Sequence, residues 1–99
     1  MLDLACVTET AQEVARTVFG AKRVEDVQTQ EISDWTGADA LEVLIVLDPK
    51  AAKQLKGTGK ASAMLNGLAR QLERQGEQRF AHIRFATQEE LDEDDNPDA

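Results

Sequence analysis

The nine residues Ala40 to Asp48, ALEVLIVLD, constrain the fold more than any other part of the chain. They are apolar at odd and even positions alike and rich in branched side chains, the pattern of a strand covered on both faces. Such a strand needs neighbours on either side and a layer to bury it. The pattern therefore places this segment in the middle of a sheet, and the flanking segments are read as its partners and its cover.

Upstream, Val7, Ala11, Val14, Ala15 and Val18 recur at helical spacing and Gly20 is a natural stop. Asp3, Thr8 or Thr10 could each cap this helix, the last through a capping box with Glu13. The stretch Lys22 to Ser33 reads as a strand with one polar side. Because Val24 and Val27 differ in parity, it carries a bulge or lies at an edge. Asp34 to Asp39, DWTGAD, suits a hairpin loop.

Downstream, Pro49 can occupy the first position of a short helix, which KGTGK, Lys56 to Lys60, interrupts. Ala61, Leu65, Leu68 and Leu72, with Met64 and Ala69 beside them, then form an apolar stripe against a polar face of Asn66, Arg70, Glu73 and Arg74. Gly76 ends that helix. Arg79 to Ala86 alternates Ala81, Ile83 and Phe85 against Phe80, His82 and Arg84, as a final strand does. Thr87 with Glu90 is a second capping box over one short turn.

The expected architecture is α+β: helices on one face of a three-stranded sheet, in the order α-β-β-α-α-β. A chain of 99 residues makes one domain that buries roughly 60 to 65 % of its unfolded surface. That domain is read as residues 1–88. Residues 89–99, with seven acids and no base, are read as an acidic disordered tail. No apolar run approaches the ~20 residues of a membrane span. With no positive leader in the first residues and a single cysteine, the expected location is cytoplasmic. Cys6, among apolar neighbours, is expected to be a small buried hydrophobe.

The net charge of −8 is unevenly distributed. Without the tail, residues 1–88 hold 12 acids and 11 bases, close to neutral. Within them, Pro49 to Leu72 carries Lys50, Lys53, Lys56, Lys60 and Arg70 and no acid, so a local basic surface is expected.

A phosphate loop of the Walker type needs a glycine five residues before Gly59 and a hydroxyl after Lys60; Gln54 and Ala61 stand there instead. What remains is a glycine turn at the start of a helix, with free amides and flanking lysines that attract anions by ~0.3 to 1 kcal/mol. The alternative is that Gly57 and Gly59 simply join two helices. One histidine and one cysteine do not make a zinc site. His82 lacks a nucleophile and an orienting carboxylate, and no triad is present. No cofactor, metal or small-molecule substrate is inferred, and enzymatic activity is not expected. Trp35, the sole tryptophan, lies in the hairpin loop, where it either folds back on its sheet or anchors a partner.

The element order resembles the type II KH arrangement, and NGLAR followed by HIRF and acidic residues is similar to ribosome-binding factor A. In KH domains a glycine-x-x-glycine loop lies against the nucleic-acid backbone; here GTGK brings its second glycine one position early. Ribosome-binding factor A has a small-residue kink before a basic helix, where Asn66 and Gly67 with Arg70 would stand. The resemblance implies RNA contacts from Lys56, Gly57, Thr58, Gly59, Lys60 and Arg70, with Lys53 beside them. A BolA-type protein shares the topology, but this chain lacks the histidines such proteins present.

Two functions follow. The first is a small non-catalytic interaction or regulatory protein of bacterial type, with an unidentified protein partner meeting a sheet edge or Trp35. The alternative is an RNA- or ribosome-associated KH-like module using the Lys50 to Arg70 face.

Overall fold

The computed structural model describes residues 2–55 and 57–94. The first helix, α1 (Leu4–Phe19), starts at Asp3, whose carboxylate accepts from the Cys6 amide at 2.8 Å. Thr10 lies inside the helix, buried, and its hydroxyl accepts from the Gln75 side chain at 3.0 Å, so it ties the middle of α1 to the C-terminal end of a later helix instead of capping one. Val7, Ala11, Ala15 and Phe19 form the buried row of α1. Gly20, at φ 98°, turns the chain out of the helix.

Strand β1 (Val24–Ser33) pairs antiparallel with β2 (Asp39–Leu47), with the expected irregularity between Val24 and Asp26. Helix α2 (Pro49–Lys53) follows, capped by Asp48, which accepts from the Ala51 amide at 2.8 Å and pairs with Arg23. Then come α3 (Lys60–Arg74) and β3 (Phe80–Ala86), which runs parallel to β2. The sheet order is β1-β2-β3, so the apolar segment is central as its composition requires. This is the α+β order α-β-β-α-α-β.

The core lies between the sheet and the helices. Leu41, Val43, Ile45 and Leu47 of β2 pack in one cluster with the α1 row and with Met64, Leu68 and Leu72 of α3. The even positions of β2 behave differently from a strand covered on both faces. Ala40 and Val46 are buried but stand outside that cluster, while Glu42 and Leu44 are only half-buried. A central strand is shielded laterally by its neighbours' side chains, so its apolar content exceeds what a second helical layer would explain.

Two sequence expectations are corrected. Cys6 is exposed, one position away from the buried row, and its neighbour Asp3 raises its thiol pKa. The tail expected to be disordered from residue 89 begins as helix α4 (Gln88–Asp94), with the Glu90 amide donating to the Thr87 hydroxyl at 3.2 Å. Glu89 and Glu90 in the first turn suit the positive end of a helix dipole, which the acidic composition concealed. Residues 95–99 of that tail lie outside the described residues.

Candidate nucleic-acid interface

The glycine turn joins α2 to α3. Gly57 and Gly59 have φ 76° and 73°, the left-handed region that favours glycine. Gly59 is the N-cap of α3 and supplies no side chain, so the turn leaves the first amides of that helix unmasked by a carboxylate. The Thr58 hydroxyl donates to the Gln54 carbonyl, closing the turn on itself. Lys60 Nζ donates to Gln54 Oε1 at 3.0 Å and sits 5.9 Å from the centre of the Phe19 ring. The ammonium is held in place at the turn, and among the described residues no carboxylate pairs with it.

Lys50 and Lys53 are exposed on α2, the last turn of which they fill. Lys56 lies outside the described residues. Arg70 does not join this group: ten residues along α3 it is about 15 Å from Lys60, on the solvent face with Asn66. The expected kink at Asn66 and Gly67 is also absent, because α3 runs unbroken through both. Gly67 has a packing reason instead: a Cβ there would meet Val14 Cγ1 at 3.0 Å, so glycine lets α1 approach α3 closely.

The apolar stripe of α3 is wider than the core needs. Met64, Leu68 and Leu72 are buried, whereas Leu65 is 40 % exposed and Ala69 faces solvent. Those two residues, with Ala61, look across to the free edge of β3. Two adjoining depressions of about 410 and 340 Å³ follow this seam and share Leu65, Phe80 and Ala81. One reaches Ala61 and Ser62, directly after the glycine turn; the other ends at Glu77 and Arg79. Together they form an apolar groove with its open end at the turn. Phe80, 61 % exposed, stands at the junction of the two and meets His82 edge-on with ring centres 4.7 Å apart.

The far end is rigid. Glu77, buried, accepts from the Leu2 amide at 2.7 Å and from Arg79 Nε at 2.6 Å, and Arg79 also reaches the Leu2 carbonyl and Glu31. Hydrogen bonds from Arg79 hold the Glu77 carboxyl down at a pKa of about 2. Nothing in the sequence marked Glu77 among nineteen acids: Arg79 is two residues away, but the burial that makes the pair matter comes partly from Leu2, at the opposite end of the chain.

Trp35 does not fold back on the sheet: it is 97 % exposed at the tip of the β1–β2 hairpin. His82 is an exposed residue of β3. Among the described residues no three His, Cys, Asp or Glu side chains gather as a metal site, and no helix is long and apolar enough to cross a membrane. Fold and groove thus define a small α+β domain with one open seam between a helix and a parallel edge strand. No protein-family model, no curated protein and no solved structure matches the chain.

Proposed function

We propose that this chain is a non-catalytic, KH-like RNA-binding module that takes a single-stranded segment along the groove between α3 and β3. The observation that carries the reading is the continuity of two surfaces: the glycine turn, with Lys60 and the α2 lysines, opens directly into an apolar seam. A single strand needs both, an anion-facing rim for its phosphates and an apolar surface for its bases. The mixed sheet, with a parallel pair bracketing two helices and their turn, also supports it. An RNA-binding role puts the chain in the cytoplasm.

With three or four lysines available, phosphate contacts are few and affinity is modest, with a shallow salt slope of about −0.7 per phosphate neutralised. Titrating labelled single-stranded RNA at two salt concentrations, with and without residues 89–99, tests this. Salt-sensitive binding, strengthened by removing the acidic segment, is expected. Absence of salt-sensitive binding to both forms would overturn the reading.

A protein partner is the second reading, favoured by the exposed Trp35 and by a hairpin whose charge is opposite to that of the turn.

A further inference from the structure

From Val24 to Asp48 the chain holds seven acids and no base. Three of them find arginines from outside the hairpin: Asp48 with Arg23, Glu31 with Arg79 and Glu42 with Arg84. Glu25, Asp26, Asp34 and Asp39 make no ion pair among the described residues. The hairpin therefore carries a residual negative field, and Asp34 and Asp39 bracket its tip.

The tip itself is built. Asp34 Oδ1 accepts from the Thr36 amide at 2.8 Å, the Thr36 hydroxyl at 2.5 Å and the Ala38 amide at 3.0 Å. The Asp34 amide donates to the Ala38 carbonyl, and the Gly37 amide to the Asp34 carbonyl, each at 2.9 Å. The Thr36 hydroxyl foremost, then those amides and the nearby His82, hold the Asp34 carboxyl below its ordinary pKa, so it is ionised at neutral pH. Five bonds thus fix a five-residue loop whose largest side chain, Trp35, touches almost nothing of its own protein. An indole displayed on a fixed loop loses little further backbone freedom when it is covered, which is the economy of an interface anchor.

We infer that the hairpin tip is a docking point for an arginine-bearing basic segment of a protein partner, with the guanidinium over the Trp35 ring and Asp34 and Asp39 paired to flanking cations. Charge selects the partner class. The four unpaired acids repel a phosphate backbone, whereas a cation gains from both the ring face and the carboxylates. Arginine suits the place better than lysine because its planar group stacks on the indole and is more weakly hydrated. The tip is small beside a standard interface, so it is one anchor of a larger or transient contact. The tip lies at the opposite end of the central strand from the glycine turn, about 27 Å from α2, and meets the groove only where Ala40 pairs with Phe80.

The test uses the isotope-labelled full chain titrated with nine-residue oligo-arginine, oligo-lysine and oligo-glutamate peptides, read by backbone amide and Trp35 indole NMR shifts. Oligo-arginine is expected to shift Asp34–Asp39 and the indole saturably, oligo-lysine more weakly and oligo-glutamate not at all. Trp35→Ala is expected to weaken binding by about two- to fivefold. Asp39→Asn, which leaves the Asp34 hydrogen bonds intact, should weaken it similarly and remove part of the salt dependence. Shifts confined to Glu89–Asp94, equal shifts with oligo-glutamate, or hairpin shifts produced by single-stranded RNA and not by oligo-arginine would each overturn the inference.

Discussion

The hairpin from Val24 to Asp48 and the segment from Pro49 to Leu72 are neighbours in sequence and opposites in charge: seven acids without a base, then five bases without an acid. Their surfaces differ in kind as well. The hairpin projects one fully exposed indole from a loop held by side-chain hydrogen bonds. The basic segment offers a concave seam and a glycine turn whose N-cap residue supplies no side chain to the helix amides. Charge segregation within a nearly neutral domain cannot serve solubility alone, since interspersed charges would do that as well. It separates a basic surface from an acidic one on a single small core, and β2 connects the two.

That comparison can be broken most severely through the shared core. Ile45 is fully buried in β2, the strand common to both regions. Ile45→Ala is expected to cost about 2 to 5 kcal/mol. In urea, hairpin amide NMR signals and far-UV circular dichroism from the helices should lose stability together; separate transitions would show that the two regions do not share one cooperative unit.

The Glu77–Arg79 pair comes next. Glu77→Gln removes the charge opposite a nearly buried guanidinium and is expected to destabilise by about 3 kcal/mol, less whatever Glu31 compensates. The pH dependence has a definite sign. The folded-state pKa of about 2 lies below the ordinary 4.5, so the stabilisation is present above about pH 5 and is lost as pH falls toward 2. Chemical denaturation across that range should show wild type losing more stability than Glu77→Gln.

Two smaller changes sharpen the contrast on the basic side. Phe80→Ala should weaken single-stranded RNA binding by about 1 to 3 kcal/mol without altering the salt slope, while Lys60→Ala should lower the slope by about 0.7. Fluorescence anisotropy at several salt concentrations separates the two effects. Smallest of all, Trp35→Ala should change thermal stability by no more than ~0.5 kcal/mol, because an almost fully exposed ring has little to lose. A larger loss, seen in denaturant melts, would mean the tip has a structural role.

Much of the fold was legible. The two-parity apolar run placed β2 centrally, alternation set the faces of β3, and Gly20 and Gly76 ended helices where the pattern stopped. The site was less so, for physical reasons. Leu65 and Ala69 belong to the same periodic stripe as the core residues Leu68 and Leu72, and only the offset of α3 from the β3 edge exposes them. Trp35 was drawn inward by its size, yet the five-residue loop spends its polar groups on itself and leaves the ring no surface to reach. Arg70 shared an acid-free window with Lys60, but ten residues of helix put about 15 Å between them. Cys6 shows the same effect: one residue of helical phase decides between core and solvent.

The central claim is that the turn and groove, not the hairpin, face nucleic acid. Its most direct test is an amide NMR titration of the full chain with single-stranded RNA. The account predicts shifts at Gly57–Leu65 and Phe80–Phe85 that fade with added salt, with Asp34–Asp39 unmoved. Shifts centred on the hairpin, or none along the groove at low salt, would contradict it.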